Sequence, residues 1–70
     1  MSVKLSHIQV HHRVEKIRET VKDPEHAHAL EDQLYLEVLR AIAGGWAEDP
    51  AELAREALRA AEIKFPRWCA

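Results

Sequence analysis

Two Asp-Pro pairs, Asp23-Pro24 and Asp49-Pro50, divide this chain more firmly than any other feature in it. Proline disfavours helical geometry in the residue before it yet suits the first helical position, where the preceding aspartate can cap a free backbone amide. Each pair therefore ends one segment and opens a helix. Between them, Gly44-Gly45 supplies a left-handed C-cap and a break, and Trp46-Ala47-Glu48 forms a short loop. Helices joined by such short connections fold back as antiparallel neighbours.

Apolar spacing fills the segments so marked. Ser6 and Gln9 stand at capping-box spacing and Leu5 and Val10 at that of a hydrophobic staple, which predicts a first helix starting at His7. Val10, Val14, Ile17 and Val21 then form a narrow β-branched stripe on a helix over 7–22. A second helix over 24–43 carries Ala27, Leu30, Leu34, Val38, Ala41 and Ile42 on one side, with Tyr35, Leu36 and Leu39 widening the apolar surface. The third, over 50–62, repeats the capping spacing with Asp49 and Glu52 and presents Leu53, Ala54, Ala57, Leu58 and Ala61, an alanine-rich face that permits close approach. The closing Ile63-Lys64-Phe65-Pro66-Arg67-Trp68-Cys69-Ala70 is rich in large apolar side chains, so it is expected to fold over the bundle near the face bearing His28 and Asp32. The fold class expected is all-α: a three-helix antiparallel arrangement in one domain, residues 1–70, with a docked C-terminal tail.

A chain of 70 residues buries a small share of its surface and usually needs a disulfide, a metal or a partner subunit. The lone Cys69 closes no intramolecular bridge and fits a reducing cytoplasm. Because the stripes of the first two helices exceed what the short third helix covers, a homodimer is expected. Met1 to Ser6 lead into histidines and charges rather than an apolar run, which reads as neither signal peptide nor membrane span and places the start of the mature chain here.

The net charge of −2 is unevenly spread. Lys4, Arg13, Lys16, Arg18 and Lys22 make the first segment basic, whereas the stretch from Asp23 to Glu56 is strongly acidic. Packing of the basic first helix beside the acidic second accounts for this. A near-neutral chain lacks the electrostatic footprint of a dedicated nucleic-acid binder, so DNA binding through helix 1 ranks third.

Two stretches carry a family resemblance: Ala27-His28-Ala29-Leu30-Glu31-Asp32 followed by Val38-Leu39-Arg40-Ala41-Ile42-Ala43, and the closing Ile63 to Ala70. Together, across residues 13–70, they resemble short uncharacterised proteins of actinobacteria and their phages that share a His-x-x-Glu-Asp segment and a Phe-x-Arg-Trp-Cys-Ala-like C-terminus. The resemblance implies no activity. Pro66 departs from the helix-tolerant residue associated with that position, which implies a tail that turns here.

The residues that carry chemistry are few. His28 and Asp32 share a helix face with Glu31 on its flank, the minimum for a metal ligand or an acid-base pair. The competing reading is a buried polar cluster that fixes the tail, with Asp32 or Glu31 meeting Arg67 or the Trp68 indole. His28, Glu31, Asp32, Arg67 and Trp68 are accordingly the candidate partner- or ligand-binding residues. Glu25-x-x-His28 has di-iron bundle spacing but needs further glutamates, such as Glu15 or Glu19 of a second copy. His7, His11 and His12 offer unselective chelation on helix 1. Glu48, Glu52 and Glu56 read as a solvated face of helix 3. Trp46 and Trp68 read as anchors of the core's edge, and as hot spots only where exposed. Ser2, Ser6 and Cys69 lack a base and an orienting carboxylate, and glycine occurs at one place only, so no catalytic nucleophile, phosphate loop or cofactor is expected. The function expected is a non-enzymatic interaction protein, a phage-derived accessory factor binding a host or self partner. The alternative is a small-ligand or metal-binding protein that uses the His/Glu/Asp cluster.

Overall fold

At the start of α1 (His7–Glu19) the Ser6 hydroxyl accepts from the Gln9 amide while the Gln9 side-chain oxygen accepts from the Ser6 amide, the reciprocal cap that their spacing predicts. The structure is a computed structural model, and it describes residues 4–67. α1 stops at Glu19 instead of running to residue 22. The Thr20 hydroxyl donates back to the Lys16 carbonyl at 2.6 Å and the Asp23 amide donates to the Thr20 carbonyl at 2.9 Å, so the chain is already in a tight turn before the first Asp-Pro pair.

Asp23 then caps α2 (Pro24–Gly44) by accepting from the His26 amide. At its far end the Trp46 amide donates to the Ala41 carbonyl and the Gly45 amide to the Ile42 carbonyl, a Schellman motif. Gly45 sits at φ 78°, the left-handed conformation that this motif needs.

Asp49 caps α3 (Pro50–Leu58) by accepting from the Glu52 amide, but Glu52 does not reach back, because its carboxylate pairs with Arg55. The single helix expected to residue 62 tightens instead into a 3-10 turn over Arg59–Glu62, and the chain leaves it extended at Ile63.

All three helices share one core. Val10, Val14 and Ile17 of α1 meet Ala27, Leu34, Val38 and Ala41 of α2 and Leu53 and Ala57 of α3, with Ala60 and Ile63 closing the end. Val21 and Leu30, expected on the buried stripes, are only partly covered. A pairing that periodicity gave no hint of ties the N-terminal segment down: the Leu5 amide donates to the Trp46 carbonyl and the Glu48 amide to the Leu5 carbonyl, each at 2.9 Å. Leu5 and Ala47 are both buried by it, so the segment before α1 is bound to the α2–α3 connection. Apart from this isolated bridge the described residues contain no strand, and the architecture is all-α. Among the described residues no helix is long and apolar enough to cross a membrane.

Candidate functional site

Four turns of α2 organise the polar and apolar surfaces of interest. Glu31 lies one turn beyond Ala27 and so falls within the row of core residues rather than beside it. Its side chain is almost wholly enclosed, and a buried carboxylate must be compensated. Arg67 supplies the compensation, donating from Nε to Oε1 at 2.9 Å and from Nη2 to Oε2 at 3.2 Å, and the Tyr35 hydroxyl donates to Oε2 at 2.9 Å.

The same guanidinium donates to the carbonyls of Ala60 at 3.1 Å and Ile63 at 3.0 Å, and it lies over the Phe65 ring at 3.9 Å. One side chain thus caps the 3-10 turn, binds α2 and stacks on the tail. The carboxylate raises the Arg67 guanidinium against the opposing effect of burial. Burial, then the bond to Glu31, pushes the Tyr35 hydroxyl up to about 12.

His28 and Asp32, two further members of the expected cluster, stand apart from this centre. His28 is partly buried and its Nδ1 lies 3.5 Å from Asp32 Oδ2, but Asp32 points to solvent and, among the described residues, neither bonds to the tail. Trp68 lies outside the described residues. Of the two acids that competed for Arg67, Glu31 receives it, and its oxygens are thereby occupied by guanidinium and phenol protons. Among the described residues no three His, Cys, Asp or Glu side chains are placed to hold a metal ion.

Beside Tyr35 begins a different kind of surface. Tyr35, Leu39 and Ile42 of α2 and Ala54, Leu58 and Ala61 of α3 and its 3-10 turn line a groove of about 520 Å³ floored by Val38 and Ala57. Leu39 and Leu58 are each 63% exposed and Ile42 37%, so large apolar side chains rim the groove in water. On the opposite flank of α2, Leu36, Gln33 and Arg40 meet Trp46 and the Arg13–Glu37 ion pair around a smaller and mixed hollow. That ion pair joins basic α1 to acidic α2, as the charge distribution led one to expect. Trp46 is partly buried against the core.

Glu56 corrects the expectation of a solvated acidic face on helix 3. Its side chain is 6% exposed, since α3 turns it towards α1, where His7 Nε2 lies 3.0 Å from Oε1 and His11 Nδ1 2.9 Å from Oε2. Arg59 adds a longer contact at 3.3 Å. Burial alone would push the Glu56 carboxyl up, but the hydrogen bonds from His11 and His7 and the charge of Arg59 outweigh it and hold the group below the ordinary carboxylate value. The sequence does hold a signal for this: Glu56 sits between Leu53, Ala57 and Ala60 in the apolar row, where a charge has to meet a partner. No family model, curated protein or solved structure matches the chain.

Proposed function

We propose that this protein is a non-enzymatic interaction module that buries its α2–α3 groove against a second copy of itself. The observation that carries the proposal is the groove: a continuous apolar surface with Leu39, Ile42 and Leu58 standing in water. Contiguous apolar exposure of this kind marks contact surfaces, and a groove between two helices is the geometry that receives an amphipathic helix. Leu39 and Leu58 project while Ala54 and Ala61 leave hollows, a pattern that can complement itself about a two-fold axis. The thin core, whose largest fully buried side chains are Ile17, Leu34, Leu53, Val10 and Val14, gives such a chain a stability motive for pairing.

The likeness to short actinobacterial and phage proteins adds an accessory role to this proposal, and the single cysteine adds a reducing cytoplasm as its setting. The His28/Glu31/Asp32 alternative loses its footing because Glu31 is engaged by Arg67 and Tyr35. Sedimentation equilibrium from micromolar to several hundred micromolar protein tests the proposal. A dimer is expected, reverting to monomer in Leu39→Glu and Leu58→Glu with helix content intact. A wild-type chain that stays monomeric across that range refutes self-association through the groove.

A further inference from the structure

We propose that His7, His11 and Glu56 form a proton-controlled latch between the start of α1 and α3, fastened when the imidazoles carry protons and slackened when they lose them. The placement is specific. His7 and His11 are one turn apart on α1, and both rings turn to the same carboxylate, one to each oxygen, at 3.0 and 2.9 Å. The carboxylate is enclosed while the rings are 46% and 41% exposed, so the rings exchange protons with solvent without any unfolding and the acceptor stays fixed in a weakly screened position. The other charge facing Glu56 is Arg59 of the 3-10 turn at 3.3 Å, and among the described residues α2 sends no ion pair to it.

Two charge states follow. A protonated ring donates a charge-assisted bond to Glu56, roughly twice as strong as that of a neutral donor. A neutral ring donates at most an ordinary one and must hold the correct tautomer to do so, Nε2–H for His7 and Nδ1–H for His11. Arg59 alone cannot substitute, because its contact is the longest of the three and comes from the neighbouring turn of the same segment. Histidine is the side chain whose charge can change within the physiological pH range.

The sign is fixed on both sides. The charge-assisted form of the two contacts exists only while the rings carry protons, so it is present on the acid side and is lost as the rings are deprotonated. The carboxyl is held below its ordinary 4.5, so its contribution is present above that value and is lost as pH falls through the depressed one. The latch is therefore tightest in mild acid. What it holds is the first turn of α1, which through Leu5 is also the anchorage of the α2–α3 connection. The latch rests on these contacts alone and is independent of the groove and of what occupies it.

Urea unfolding of the wild type and of the double variant His7→Asn/His11→Asn, at pH 5.5 and pH 8.0, measures it. Both histidines are half-exposed, so the variant retains the core. The wild-type folding constant is expected to exceed that of the variant by about tenfold more at the lower pH than at the higher. Amide hydrogen exchange supplies a second readout: after correction for intrinsic rates, protection in residues 10–14 is expected to fall between pH 5.5 and 8.0 in the wild type and to stay level in the variant. A wild-type to variant ratio that is the same at both pH values, with level protection in the wild type, overturns the latch and leaves the two histidines as neutral surface donors.

Discussion

Replacing Arg67 with alanine removes the cation from a buried ion pair and leaves the Glu31 carboxylate with the Tyr35 hydroxyl as its one remaining donor among the described residues. Breaking a buried pair by deleting one partner costs about 3–5 kcal/mol, because the surviving charge is stranded. Arg67 is 33% exposed, which lets water reach part of the vacated space, while the carbonyls of Ala60 and Ile63 lose their donor. The two effects oppose each other and place the expected loss near the lower end, about 3 kcal/mol. For a chain of this size that lowers the melting temperature by about 12–24 °C. Thermal and urea unfolding followed by circular dichroism read it directly. Removing both charges, in Glu31→Leu/Arg67→Met, strands no charge and is expected to fall within about 1 kcal/mol of wild type. A loss below about 0.5 kcal/mol in Arg67→Ala, or a double variant as unstable as the sum of the singles, refutes the assignment of Arg67 as the clasp of the tail.

Three further outcomes are expected. The chain has one tyrosine, so absorbance near the phenolate band reports Tyr35 alone: its midpoint is expected at about 12 in the folded protein and at the ordinary 10.0 in urea. Because folding raises it, its share of stability is whole below 10.0 and is lost as pH climbs towards 12. Gly45→Ala, which forces a Cβ into a backbone at φ 78°, is expected to cost about 1 kcal/mol in urea unfolding even though open space surrounds the position. Leu53→Ala, at a fully buried site, is expected to cost about 2–5 kcal/mol, against no more than about 0.5 for Leu36→Ala on the exposed flank.

The helices were legible because their boundaries are written in local chemistry. Ser6, Asp23 and Asp49 each accept from the amide three residues on, and Gly45 takes the left-handed turn that a glycine pair offers. What local chemistry misses is set by contacts distant in sequence. Thr20 bends the end of α1 out of the helix although the apolar stripe runs on to Val21, and the pairing of Leu5 with Ala47 joins residues with no periodic relation. The apolar side chains that remain in water were equally legible as an excess on α2, but which of them stay uncovered depends on where α3 lies. Leu39 and Ile42 are left open because α3 covers Val38 and Ala41 beside them.

The candidate cluster was half legible for a related reason. Reading His28 with Asp32 follows the helix surface, where neighbours four apart touch and both remain near water. Reading Glu31 with Arg67 requires noticing that Glu31 continues the row Ala27, Leu34, Val38, Ala41, in which a charge is tolerated only if the fold delivers a cation to it. Glu56 obeys the same logic in the row Leu53, Ala57, Ala60. The partners come from opposite ends of the described chain, Arg67 from the tail and His7 and His11 from the first turns of α1, so each buried carboxylate fastens one end to the body. An apolar replacement of either glutamate would bury as well but would leave that end undirected, free to slide along a greasy helix. A charged residue in a core register therefore locates the anchor of a distant segment. The difference between the two anchors is that an arginine stays charged at any pH the cell reaches, whereas on the latch proposed above the histidines hold the first turn of α1 most tightly while they carry protons.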